Sequence, residues 1–348
     1  MKRWGLAIRG VRPQSVYISM ADKMNQWRLY LRFVVAFTMM ASVSSCVSAI
    51  HGEPNIKVKP ELQEKDYITY DGDRLGYNKW LKKEAKPETV IIGVHGISGH
   101  SDDYDNLAKF LQKKSPSVAF YAAETRGQGL DPKVERRGDI RDAKEWYKDL
   151  YTFTDLVRKN HPDANIIWFG ESMGSLIIMN AYTQTPPGFK KPDAMILSSP
   201  IVGLQEKVAP WKITAAKGAN FLMPTLKISL ESLSNGEKAQ VTQADVHEEQ
   251  AAKNEWYIRR YTLRLLVTLG GLTEKMPAQA KLLDCPVLVM HGGKDIFTEE
   301  QDVKKFYENF PENLDKERRF YPNAYHLLMY DDKREKIFTD AAEWIKNL

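Results

Sequence analysis

The run Ile166-Ile167-Trp168-Phe169 is continuously apolar and stops at Gly170-Glu171-Ser172-Met173-Gly174. No other feature constrains the chain as strongly. A buried strand entering a G-x-S-x-G pentapeptide, with a helix-forming segment expected over 174–185, places the serine on a sharp strand-to-helix turn. The pentapeptide alone also fits a small residue in a tight bend. The two readings separate only if the rest of the chain supplies partners for Ser172.

The surrounding pattern is that of an α/β fold. Short apolar runs recur at 90–94 (VIIGV), 118–123 (VAFYAA), 166–169, 195–199 (MILSS) and 287–290 (VLVM). They alternate with helical segments expected over 102–114, 140–160, 174–185, 299–309 and 333–347. Strands that are apolar throughout are expected where helices cover both sheet faces, so the sheet should be mostly parallel. Asp71-Gly72 between two β-prone runs predicts an antiparallel hairpin ahead of it. Trp146, Leu150, Phe153 and Val157 recur at helical spacing, a stripe that needs no explanation beyond the core. The rhythm breaks between 203 and 280, which has no convincing strand. Tyr257, Ile258, Tyr261, Leu265 and Leu269 fall near one helical face there, so this stretch is expected to be a helical cap. The α/β core is then expected over 62–202 and 281–348.

Charge is informative through its location. The net charge of +5 comes from 50 Lys/Arg and 45 Asp/Glu. Residues 1–45 hold seven of the basic residues and one acid, leaving 43 basic and 44 acidic in the remainder. Nothing in that balance argues for nucleic-acid binding. Arg28 and Arg32, the apolar stretch Phe33–Met40 and the small residues leading to Cys46 read as a secretory signal. Val43-Ser44-Ser45-Cys46 resembles a bacterial lipobox. Residues 1–46 are therefore expected to be a leader whose cysteine becomes a lipidated N-terminus, with 47–61 as a tether. That predicts an exported protein held at a membrane of the cell envelope by its lipidated N-terminus. Cys285 is then left alone and reads as a buried strand-edge thiol; no Cys/His spacing points to a metal.

An activated serine needs a base within hydrogen-bond reach, a carboxylate to orient that base, and backbone donors for the oxyanion. Where the serine lies on a strand-to-helix elbow, the acid and then the histidine follow it in the chain. His51, His95, His100 and His161 precede Ser172, His247 lies in the expected cap, and His291 ends a strand four residues before Asp295. His326, in YPNAYHLLMY, remains, and Asp295 follows VLVMHGGK at a strand exit, where sites on open α/β sheets gather. Ser172, Asp295 and His326 are thus the expected catalytic residues. The expected oxyanion donors are the amides of Met173 and of Ile97, which follows His95-Gly96 after an early strand. His95 is expected to be a structural hydrogen bonder of that loop.

These residues resemble those of the monoacylglycerol lipase/lysophospholipase branch of the α/β-hydrolases, a group also described as serine aminopeptidase-like. That branch shows H-G-x-x-x-H-S-x-x-Y, matched by His95, Gly96, His100, Ser101 and Tyr104. Its D-x-R-G-H-G is approximated by Glu124, Arg126, Gly127, Gln128 and Gly129; its G-H-S-M-G by residues 170–174; its G-A-Y-H by 323–326. The resemblance spans roughly 62–348, and Glu171 and Gln128 stand where many relatives have histidine. It implies a serine hydrolase of carboxylic esters, acting on monoacylglycerols or lysophospholipids without metal or organic cofactor. It also implies a lipid ester as the partner, with Trp211, Phe221, Leu222, Met223, Tyr257 and Leu265 as candidates to line an acyl site. An aminopeptidase-like hydrolase, with Glu248, Glu249 or Glu255 holding a substrate ammonium, and a non-catalytic lipid-binding lipoprotein are the alternatives.

Overall fold

In the computed structural model, nine strands form one sheet, in the order Glu61–Leu62, Asp66–Ile68, Arg74–Trp80, Val118–Ala123, Thr89–Val94, Asn165–Glu171, Ala194–Ser198, Val287–Gly292 and Lys316–Tyr321. The structure describes residues 51–52, 54–82, 86–203, 209–229, 240–242, 254 and 256–348. These lie in one unit, His51–Leu348. The strands are β1 (Glu61–Leu62), β2 (Asp66–Ile68), β3 (Arg74–Trp80), β4 (Thr89–Val94), β5 (Val118–Ala123), β6 (Asn165–Glu171), β7 (Ala194–Ser198), β10 (Val287–Gly292) and β11 (Lys316–Tyr321). The first three enter antiparallel, with Ile68 opposite Arg74 across the Asp71-Gly72 turn. From β5 to β11 every pairing is parallel.

The helices are α1 (Asp105–Lys114), α2 (Ala143–Asn160), α3 (Met173–Tyr182), α4 (Pro210–Leu222), α5 (Leu263–Ala280), α6 (Glu300–Glu308) and α7 (Arg334–Lys346). Alternation along the strands shows why the runs are apolar throughout. Val90, Ile92, Ile166, Trp168, Val287 and Val289 point into one core with α2, α3 and α5. Their neighbours Ile91, Ile167, Phe169, Leu288 and Met290 point into the other, with α1 and α7. A polar residue at any of these positions would lose its water without a partner. No helix among the described residues is long and apolar enough to cross a membrane.

Three expectations change. The segment before 61 is no loose tether where it is described: His51 is buried, and Asn55 N–H donates to Asp71 O. The stretch expected to be a helical cap holds a two-residue antiparallel ribbon, β8 (Lys227–Ile228) against β9 (Tyr261–Thr262), so Tyr257 to Leu269 are not one helical face. Thr262 starts α5, its extended backbone ending the ribbon and its hydroxyl accepting from Leu265 N–H. Finally, the core does not wait until residue 281. Leu265, Leu272, Met276 and Ala280 of α5 are buried in the core shared with α3. Leu265 is a packing residue, since its apolar side chain faces the sheet side of α5.

Candidate active site

Ser172 sits between β6 and α3 with φ 53° and ψ −115°, in the left-handed region that a non-glycine residue seldom occupies. Its N–H donates to Ser198 O at 2.9 Å, which fixes the turn to the end of β7. Gly174 allows the close approach behind it: a Cβ there would lie 1.8 Å from Val94 O. The elbow is strained, and its neighbours over-determine it.

The loops after β10 and β11 bring the partners. Asp295 accepts from Phe297 N–H at 2.8 Å and Thr298 N–H at 3.2 Å through Oδ1, leaving Oδ2 to face His326 Nδ1 at 2.7 Å. A carboxylate only accepts, so Nδ1 carries the imidazole proton and Nε2 is left with its lone pair. Nε2 lies 2.8 Å from Ser172 Oγ. The ring is held further by the edge of Phe297, with centroids 4.7 Å apart. Ser199 Oγ–H donates to His326 O at 2.6 Å. Chemically, the arrangement lets the Ser172 hydroxyl hand its proton to a base already paired with an anion.

The amides expected to face an oxyanion are placed beside this serine. Met173 N–H opens α3, where first-turn amides have no acceptor within the helix. Ile97 follows Gly96, where a Cβ would come within 3.3 Å of Ser172 Cβ. Gly96 O accepts from His95 Nδ1 at 2.9 Å and from Gly99 N–H at 3.1 Å. Because the peptide is planar and trans, holding that carbonyl fixes the Ile97 N–H in the opposite direction. The other His95 nitrogen accepts from Thr125 N–H at 3.0 Å, so His95 holds two loops and takes no part in the relay.

The family model for "Serine aminopeptidase, S33" matches residues 85–333. The chain belongs to this family of hydrolases. It is 27% identical to a monoacylglycerol lipase of Mycolicibacterium smegmatis over 290 residues, 83% of this chain and 98% of that one. It is 28% identical to a phospholipase of Bacillus subtilis over 272 residues, 75% of this chain and 96% of the other. In fold it is similar to a soluble variant of monoglyceride lipase from Saccharomyces cerevisiae (TM-score 0.67, 19% identity, 85% of this chain and 96% of that one). A thermostable carboxyl esterase from Bacillus coagulans is similar too (TM-score 0.70, 16% identity, 82% and 98%). At these identities the two structures speak for the fold, an α/β-hydrolase.

Within this S33 hydrolase, Glu171 stands directly before the serine. Its side chain is buried, and Oε1 has no hydrogen-bond partner among the described residues. Burial, with Asp103 nearby, pushes its carboxyl up to about 8. The folded protein therefore keeps Glu171 protonated between its ordinary range and about pH 8, while the unfolded chain releases the proton. Stability must then fall as pH rises through that window and level off above it. Glu171→Gln, which mimics the neutral acid, is expected to match wild type in urea midpoint near pH 4 and to exceed it increasingly up to about pH 8. Equal midpoints at pH 9 would exclude this origin.

The remaining expected residues make none of the hydrogen bonds of the serine relay. Trp211, Phe221, Leu222 and Met223 are exposed on or just after α4, Trp211 by 68% and Phe221 by 77%, and Tyr257 is exposed near β9. Cys46, Glu248, Glu249 and Glu255 lie outside the described residues. Cys285 is free and buried. His291 is buried against Phe320, and burial lowers it to about 4, so it is a neutral packing residue. Among the described residues, no group of three or more His, Cys, Asp or Glu could hold a metal ion. Sequence reasoning missed Ser98, Ser199 and Tyr261: Ser98 was an unmarked position inside a motif, and the other two act through bonds across long sequence separations.

Proposed function

We propose that this hydrolase cleaves carboxylic esters of single-chain lipids, monoacylglycerols or lysophospholipids, through an acyl-enzyme on Ser172. The observation that carries the reading is the 2.8 Å and 2.7 Å contact chain from Ser172 through His326 to Asp295, at the carboxyl ends of parallel strands. Similarity to a monoacylglycerol lipase over nearly its whole length supports the substrate class.

Ser172 Oγ attacks the ester carbonyl as His326 Nε2 takes its proton. The carbonyl oxygen becomes an oxyanion facing the Ile97 and Met173 amides, and loss of one such donor typically lowers turnover about 10²–10³-fold. Collapse of the intermediate expels the glycerol or glycerophosphoryl alkoxide, which His326 protonates. Water then enters, gives its proton to Nε2, and releases the fatty acid with Ser172 restored. The exposed apolar side chains of α4 and Tyr257 are offered as acyl-chain contacts, where each methylene buried contributes about 0.8 kcal/mol.

Hydrolysis of glycerol monoesters and lysophospholipids of graded acyl length, beside aminoacyl amides, tests the reading. Ester turnover that rises with chain length supports it; cleavage of the amides alone would replace it with a peptidase. The leader adds a separate proposal, that Cys46 is lipidated and ties the domain to a membrane. Mass spectrometry of the mature protein is expected to find a diacylglyceryl-modified Cys46 at the N-terminus, and an unmodified Cys46 within an intact leader would refute it.

A further inference from the structure

Ser98 has no part in the proton relay, yet it is the most constrained residue of the loop beside Ser172. Its φ is 58°, a conformation that a serine seldom adopts. Three bonds hold it there. Its N–H donates to Oε1 of the fully buried Gln128 at 3.1 Å. Its hydroxyl donates to Ile258 O at 3.2 Å. With that proton committed, the same oxygen accepts from the Tyr261 hydroxyl. Burial raises the Tyr261 phenol above its ordinary range, so it remains a donor at any working pH.

The consequence runs along the backbone. The turn at Ser98 is what returns Gly99 N–H to Gly96 O, and the Gly96 carbonyl in turn sets the direction of the Ile97 N–H. Tyr261 is itself seated by β9, opposite Ile228 of β8, and by Thr262 N–H on Gly138 O. We propose that Tyr261 is a positioning residue for the oxyanion site: through the Ser98 hydroxyl it fixes the loop bearing the Ile97 amide, coupling the seat of the β8–β9 ribbon to turnover. The proposal rests on the ester-hydrolase reading of Ser172 and goes beyond it, since neither residue touches the reacting atoms.

Tyr261→Phe keeps the buried ring and removes only the hydroxyl. We expect kcat on a soluble short-chain ester to fall about tenfold with KM within about twofold, and the rate of fluorophosphonate labelling of Ser172 to fall in parallel. Ser98→Ala should lose at least as much, since it removes the bond to Ile258 O as well, and the double variant should lose no more than Ser98→Ala alone, because Tyr261→Phe then has no further bond to Ser98 to delete. A thermal midpoint for each variant separates positioning from general loosening, which would not yield this non-additivity. Turnover within twofold of wild type in both single variants, losses that multiply in the double variant, or a rise in KM alone would each overturn the coupling. A wild type that neither labels nor hydrolyses esters would sink the reading of Ser172 and the coupling with it. A wild type that does both, beside an indifferent Tyr261→Phe, would sink the coupling alone.

Discussion

Replacing Ser172 with alanine is expected to lower ester hydrolysis about 10⁶-fold, the scale on which loss of an activated serine leaves only binding and oxyanion stabilisation. The side chain's hydrogen bond is to His326 Nε2, so the substitution removes the nucleophile and leaves the Asp295–His326 pair intact. Fold stability should change little, because alanine meets the same penalty at φ 53° that serine already bears. Wild type should show a burst of alcohol release ahead of steady turnover when deacylation limits, and it should label with a fluorophosphonate. Ser172→Ala should do neither while retaining the wild-type thermal midpoint. Ester turnover in the variant within tenfold of wild type would mean that another nucleophile carries the reaction.

The site was legible in the sequence where covalent order and strand polarity dictate position. A parallel sheet delivers the ends of its strands to one edge, so residues just beyond β6, β10 and β11 had to converge once those runs were recognised as strands. Ser172, Asp295 and His326 meet for that reason, and their spacing in the chain was no guide to distance. The amides of Ile97 and Met173 are expected on the same logic, as residues just beyond the ends of β4 and β6. What escaped was whatever depends on side chains that meet across the fold. Tyr261 could be given only a place on an apolar face, because its partner Ser98 lies 163 positions away. The continuous helical face expected from Tyr257 to Leu269 failed for a local reason as well: Thr262 both ends the ribbon and caps α5, and periodicity cannot register a cap that interrupts it. Leu265 was misjudged in the same way, since an apolar residue in a region expected to cover the site can equally face the sheet.

Arg126 presents the opposite case, a motif residue whose importance is large and whose role lies outside the chemistry. Within Glu124-Thr125-Arg126-Gly127-Gln128-Gly129 it is the buried arginine, with Nε and Nη2 each 2.8 Å from the Asp149 carboxylate. The same guanidinium reaches Asp71 at 3.0 Å and Asp73 at 3.1 Å. Burial opposes its charge, but the facing carboxylates outweigh burial and hold its pKa above the ordinary value. The guanidinium thus joins the hairpin turn at Asp71 and Asp73 to α2 at Asp149, and it sets the loop from which Gln128 meets Ser98. Arg126→Met keeps much of the volume and removes the cation, leaving three carboxylates facing one another with Arg136 beside Asp73 as the remaining buried counter-charge. Breaking such a buried cluster from one side costs about 3–5 kcal/mol, expected as a lowered urea midpoint at pH 7. The loss should shrink on acidification. Burial already holds the Asp149 carboxyl above its ordinary value; losing the facing Arg126 raises it further, so the folded variant binds a proton that the unfolded chain does not, and its relative stability recovers as pH falls toward about 4. A midpoint deficit that stays constant from pH 8 to pH 4.5 would show that packing around Arg126, and not its charge, holds the hairpin to α2.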